Sequence, residues 1–261
     1  MNIQGKKILL TGASGGIGEA IANQLASAGA TLILTGRNLH RLQELQQQLG
    51  AQHTIIAADL ADARDRQKLF DACQAQGGID LLINNAGISE LKLFEQQAPE
   101  RIEQTLHTNL LSPMLLCQLF IPMLRERPEA AIINVGSTFG SIGYAGFSGY
   151  CASKFGLRGF TEALLRELAD SAIRIIYLAP RATRTEINSS AVVQMNEQLG
   201  NTMDDPQQVA RTLLAIVQKN QSVGFIGWPE KLFVRLNALL PRLVDKALHK
   251  QLPIIKHFAH Q

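Results

Sequence analysis

One feature constrains this chain more than any other: short β-branched or leucine-rich runs alternate with longer segments of helical periodicity. Lys7 to Thr11 is followed by Gly16 to Ala28, Thr31 to Thr35 by Leu39 to Leu49, and His53 to Ala58 by Ala61 to Ala75. Strands joined through helices run parallel, because each crossover returns the chain to the edge it started from. Asp80 to Asn84, Ala130 to Gly136, Arg174 to Ala179 and Val223 to Ile226 continue the series. The rhythm predicts an α/β fold: a doubly wound, mostly parallel sheet of about seven strands with helices on both faces. Ligands of such sheets sit beyond the carboxyl ends of the strands, where strand order reverses. The residues just after each strand therefore carry the function.

At 261 residues, with 46% hydrophobic and 18% charged side chains, the chain suits one substantial domain with a real core. Residues 1–229 are expected to form the main domain, and 230–261 a helical extension of it. Cys73, Cys117 and Cys151 form no CxxC pair, so reduced thiols in a cytoplasmic compartment are expected. No segment reads as a signal peptide or a membrane span. The net charge of +3 is unevenly distributed: the last 32 residues carry +4, leaving −1 for the rest. A body without basic excess argues against a nucleic-acid partner. His40, His53, His107, His249, His257 and His260 lack metal-ligand spacing, so no metal is implied.

The first strand runs through Thr11-Gly12-Ala13-Ser14-Gly15-Gly16-Ile17-Gly18 straight into a helix. Gly12 permits the tight turn, Gly16 a close approach to a pyrophosphate, and Gly18 close packing of helix on strand. Tyr150 and Lys154 are four apart, so on a helix they share a face, where an ammonium is expected to lower the pKa of the phenol. Cys151 between them reads as packing, not as a nucleophile.

In this order the motifs resemble the short-chain dehydrogenase/reductase family, from about Lys6 to Gly227: the glycine turn, Asn84-Asn85-Ala86-Gly87, Asn109, Ser137 and Tyr150-Cys151-Ala152-Ser153-Lys154. The resemblance implies a Rossmann-type fold and an oxidoreductase that interconverts a carbonyl and an alcohol by hydride transfer, on the pro-S face. It assigns catalysis to Asn109, Ser137, Tyr150 and Lys154. Tyr150 would be the general acid or base, Ser137 would hold the substrate oxygen, Lys154 would contact the nicotinamide ribose, and Asn109, in a helix from Arg101 to Leu119, would hold a water linking Lys154 to solvent. Cofactor contacts are expected from Gly12, Ser14, Gly15, Gly16, Ile17, Gly18, Asp59, Leu60, Asn85, Ala86, Gly87, Tyr150, Lys154, Pro180, Thr183 and Thr185. Asp59 could serve as a helix N-cap as well, and the two roles are compatible. Arg37, after Gly36, suits the 2′-phosphate, favouring NADP(H) over NAD(H).

Arg181 stands where the family usually has glycine; it is expected either to turn outward or to hold an anionic group of cofactor or substrate. The resemblance implies that Thr185 to Met203 occupies the family's variable substrate lid; it is moderately apolar, which suits a hydrophobic carbonyl or alcohol as the small-molecule partner. Beyond Trp228, apolar residues from Leu232 to Leu248 recur at helical spacing around Pro241, predicting two amphipathic pieces. Three readings of this tail stand open: packing on its own domain or on a partner subunit, peripheral contact with an anionic membrane, and a hydrophobic substrate entrance. The resemblance also implies a homo-oligomer, a dimer or tetramer. A nucleotide-sugar epimerase or dehydratase and a non-catalytic NADP sensor are the alternative functions.

Overall fold

The computed structural model describes residues 1–260, apart from the side chains of Pro229 and Glu230; Gln261, the last residue of the expected extension, lies outside the described residues. Seven strands form one sheet: β1 (Lys7–Thr11), β2 (Thr31–Gly36), β3 (Thr54–Ala57), β4 (Leu81–Asn84), β5 (Ala130–Val135), β6 (Ile173–Ala179) and β7 (Val223–Phe225). Their order is β3-β2-β1-β4-β5-β6-β7 and every pairing is parallel. Strand order reverses between β1 and β4, so the crevice at their carboxyl ends is the place for a ligand.

The helices are α1 (Gly16–Ser27), α2 (Leu39–Leu49), α3 (Ala63–Ala75), α4 (Pro99–Leu106), α5 (Ser112–Arg125), α6 (Ser148–Glu167), α7 (Ser190–Gln198), α8 (Pro206–Gln218), α9 (Trp228–Leu239), α10 (Pro241–His249) and α11 (Leu252–Ala259). Alternation along each strand distributes its apolar side chains between two cores. Ile8, Leu10, Leu32 and Leu34 face Ile21 and Leu25 of α1 and Leu213 of α8. Leu9, Ile33 and Leu82 face Leu69 of α3, Phe120 of α5 and Leu164 of α6. Strands buried on both sides explain why the sequence shows near-continuous apolar runs without polar alternation.

Three details depart from the sequence expectations. The helix around Asn109 is not regular: α4 passes through a π-helical turn, His107–Leu111, into α5. Helix α3 starts at Ala63 with Asp62 as its cap, accepting the Arg64 and Asp65 amides, so Asp59 is not the N-cap. The tail holds a third helix, α11, besides the two pieces expected, and α9 begins at Trp228, so the anticipated boundary at 229/230 falls inside a helix. Among the described residues no helix is long and apolar enough to cross a membrane.

Candidate active site

Helix α1 starts after Gly15 without any side-chain cap, so its first amides are left for a ligand, and the helix dipole favours an anion there. Gly12 has φ +62°, and a Cβ on it would lie 2.7 Å from the Ala86 Cα. A Cβ on Gly16 would lie 2.7 Å from the Thr185 methyl, and one on Gly18 would collide with the Gly12 carbonyl oxygen. Only glycine fits at these positions. Thr11 pins the neighbouring turn: its hydroxyl donates to the Ile83 carbonyl (3.2 Å) and accepts the amides of Asn85 (3.0 Å) and Ala86 (3.1 Å). The Asn85 carboxamide donates to the Thr11 and Gly12 carbonyls, both at 3.1 Å. Asn84 donates to Asn134 (2.9 Å) and Asn134 to the Thr161 hydroxyl (2.9 Å), a buried chain tying β4 and β5 to α6.

Gly12, Ser14, Gly15, Gly16, Ile17, Gly18, Arg37, Asp59, Leu60, Asn85, Ala86, Gly87 and Thr185 all line one cleft of about 240 Å³. A Cβ on Gly36 would come within 3.1 Å of the Ser14 hydroxyl, so this corner of the cleft has no room for a larger residue, while Arg37 is exposed at its rim. Across the cleft, Arg41 of α2 makes a bidentate ion pair with Glu186, at 2.6 and 3.1 Å. Sequence reading missed this pair, because its partners lie 145 residues apart.

A second cavity, of about 320 Å³, shares Ile17, Asn85, Gly87, Thr185 and Ile187 with the first. Ser137, Tyr150, Lys154, Pro180 and Thr183 lie in its wall. Asn109 does not: it is fully buried behind the wall, accepting the Ile88 amide (2.8 Å) and donating to the Ile88 carbonyl (2.9 Å) and the Ser153 hydroxyl (3.1 Å). Gly87 nonetheless joins it to the cavity, since a Cβ there would lie 3.4 Å from Asn109 Oδ1 and 3.7 Å from Lys154 Nζ.

The electrostatics correct one expectation. Burial raises the Tyr150 phenol well above its ordinary value, with hydrogen bonding from Ser137 working in the opposite direction. Burial also pulls Lys154 down to about 8. The ammonium does not override burial because it donates to the Val135 carbonyl (2.9 Å) and lies 5.8 Å from the centre of the Tyr150 ring. In the protein alone the phenol therefore keeps its proton.

Arg181 does not turn outward: its guanidinium pairs with the buried Asp204 at 2.7 Å, and it also borders the larger cavity. The pair fastens the lid, where the Arg184 amide donates to the Asp204 carbonyl (2.9 Å) and Asn188 to the Thr183 carbonyl (2.7 Å). Within the lid α7 is capped by Ser189 and buries Val192 and Met195. Tail helix α11 packs on this surface through Ile255 and Phe258, together with Phe147 and Cys151. Tyr144 donates to Gln251 (2.6 Å), and Gln251, Leu248 and Phe233 reach the cavity wall. The tail thus packs on its own domain and also walls the cavity. Cys151 is a buried free thiol raised by burial, and no cluster able to hold a metal occurs among the described residues.

The family model described as short chain dehydrogenase matches residues 6–196. The chain is 30% identical over 240 residues to the 3-oxoacyl-[acyl-carrier-protein] reductase FabG of Vibrio cholerae, covering 90% of this chain and 94% of the relative. It is 38% identical over 180 residues to Nodulation protein G of a Rhizobium species, covering 68% and 73%. Among solved structures, a short-chain dehydrogenase from Streptomyces avermitilis superposes with a TM-score of 0.81 at 26% identity, covering 93% of this chain and 96% of the other. A 3-ketoacyl-(acyl-carrier-protein) reductase from Brucella melitensis, complexed with NADH, superposes with a TM-score of 0.79 at 25% identity, covering 86% and 97%. The chain belongs to the short-chain dehydrogenase family and is a nicotinamide-dependent oxidoreductase.

Proposed function

We propose that this enzyme is an NADP(H)-dependent reductase of an apolar carbonyl compound, reversible to alcohol oxidation, with Tyr150 as the general acid or base. Ser137, Tyr150 and Lys154 converge on the wall of one cavity that opens into the glycine-lined cleft, which supports this function above all else. The cleft fits a dinucleotide: glycines stand where any Cβ would fill the space, and uncapped helix amides face it. When bound, a reduced nicotinamide supplies the hydride. Ser137 orients the carbonyl oxygen and stabilises its developing charge by hydrogen bonding. Tyr150, kept neutral by burial, gives its proton to that oxygen. Lys154 holds the ribose side of the site and stabilises the phenolate left behind. Asn109 faces the same small space as Lys154 beside Gly87, a position suited to passing protons in from solvent through a bound water.

Arg37 at the rim supports NADP(H), because a guanidinium pairs with a 2′-phosphate whereas NAD(H) offers only a hydroxyl. The larger cavity is walled by Phe139, Ile142, Phe147, Val192, Met195 and Phe233, which supports an aliphatic or aromatic substrate. The 3-oxoacyl-[acyl-carrier-protein] named for several relatives carries an acyl group of this class. Leu106, Leu111, Met114 and Phe155 are exposed on the outer helices α4 to α6 and the turn between them, which supports a homo-oligomer built on that face. Three free cysteines support a reducing, cytoplasmic compartment.

Turnover of a carbonyl panel graded by chain length, with NADPH and with NADH, tests the reading. Activity should rise with apolar chain length and prefer NADPH. Arg37→Ala should weaken NADPH by about tenfold or more, the loss of one charged hydrogen bond to phosphate, while leaving NADH unaffected. Equal losses with both cofactors would remove Arg37 from the 2′-phosphate site.

A further inference from the structure

Helix α9 is apolar on two faces and the fold uses one, while α10 adds Leu243 beside the outer one. On the inner face Val234 and Val244 are buried against Ile142, flanked by Phe225, Leu236 and Leu248. Asn237 adds a hydrogen bond to the Ser141 carbonyl at 2.9 Å. On the outer face Trp228 is 77%, Leu239 78% and Leu243 62% exposed, with Leu232, Phe233 and Leu240 also open to solvent. A helix packed on its own domain needs a single apolar stripe. Single exposed apolar residues are ordinary, but a run of large ones on adjoining helices marks a contact surface.

The charges around the patch identify its partner. Lys231, Arg235, Arg242 and Lys246 are exposed on the same two helices, against Asp245, and the tail carries the whole positive excess of the chain. A second copy docking through this patch would bring like charge against like charge. An anionic bilayer offers the complement: apolar side chains enter the acyl boundary, the tryptophan sits at headgroup level, and lysine and arginine meet phosphates. Position supplies the remaining link, because Phe233 is exposed in the patch and also lines the larger cavity, and Leu248 of α10 lines it too.

We propose that α9 and α10 form an interfacial docking surface for an anionic lipid bilayer, seating the rim of the active-site cavity at the lipid. An apolar carbonyl compound dissolved in the membrane would then reach the cavity without crossing bulk water. That second statement rests on the function proposed above; the docking itself does not.

Flotation of the full chain with vesicles tests it, using phosphatidylcholine alone or mixed with phosphatidylglycerol, at low and high salt. The chain should float with the anionic vesicles, about tenfold less with phosphatidylcholine alone, and less again at high salt. The double variant Leu239→Asp/Leu243→Asp should lose flotation while keeping its Tm and its turnover of a short, water-soluble carbonyl. Failure of the native chain to float with either vesicle overturns the docking, and so does flotation that survives the double substitution. Sedimentation showing that the same substitution dissolves a dimer, with no vesicle binding, assigns the patch to a second copy instead. Native protein that floats but turns over no carbonyl overturns the catalytic reading and leaves the docking standing.

Discussion

Tyr177 and Ser137 share two hydrogen bonds: the phenol donates to the Ser137 carbonyl (3.2 Å) and accepts the Ser137 amide (3.4 Å). Tyr177 belongs to β6 and is buried, with its phenol pushed up to about 12 by desolvation. Its ring fills the space beside Gly136 and Gly140, where a Cβ on either glycine would collide with it. The backbone that presents Ser137 to the cavity therefore rests on a side chain from the neighbouring strand.

Gly136→Ala should destabilise the protein by about 1–3 kcal/mol through overpacking against Tyr177. Tyr177→Ala alone should cost about 3–5 kcal/mol for the cavity it leaves. Together they should cost less than their sum, because the added methyl then occupies emptied space. Denaturant unfolding of the four proteins measures the coupling; strict additivity would mean that the ring does not support the Ser137 turn.

Lys154 is predicted to impose a pH-dependent penalty on folding. Its pKa falls from 10.5 to about 8 on burial, so the unfolded chain binds more protons between these values and the native state is disfavoured at lower pH. The penalty is fully present below pH 8 and is relieved as pH rises towards 10.5. Lys154→Met should therefore be more stable than the native protein by an amount on the order of a few kcal/mol at neutral pH, with the gap closing above pH 8. Comparing the two proteins cancels the opposing contribution of the cysteines, whose raised values are shared by both. A gap that stays constant with pH would show that Lys154 is not desolvated as described. Turnover of the variant should fall about 10²-fold or more.

Arg181→Gly restores the residue that the family usually carries and should still be harmful here. It leaves the Asp204 carboxylate buried without its cation, an uncompensated charge costing about 3 kcal/mol. Arg181→Gly/Asp204→Asn should recover most of that loss, since the amide carries no charge. Thermal unfolding checks both variants; full stability of the single variant would mean that the pair does not fasten the lid.

The fold and most of the site were legible because their signals are local. Strand and helix periods are written in neighbouring residues, and Gly12, Gly16 and Gly18, like Tyr150 and Lys154, act at fixed short spacing. The glycine turn, with Asn85 and Thr185, indeed lines a single cleft. What stayed hidden depends on residues far apart in sequence. Nothing around Tyr177 distinguishes it from any strand residue until β6 is laid beside Gly136. Arg181 was visible as a departure from pattern, but its partner Asp204 lies 23 residues on. The π-helical turn at Asn109 needs the backbone of Ile88 opposite it. The expected depression of the Tyr150 pKa failed for a related reason: spacing gives proximity to Lys154 but says nothing of burial, which dominates both groups.

Tyr150→Phe is the sharpest check on the proposed proton transfer from Tyr150, because the ring and its packing stay while the hydroxyl is lost. Turnover of the best carbonyl substrate and the Kd for NADPH are measured together on the native and variant proteins. A fall in kcat of about 10²- to 10⁴-fold is expected, the range typical of losing a general acid, with NADPH binding essentially unchanged. A variant that keeps kcat within about threefold of the native value would mean that Tyr150 is not the proton donor, whatever its affinity for the cofactor.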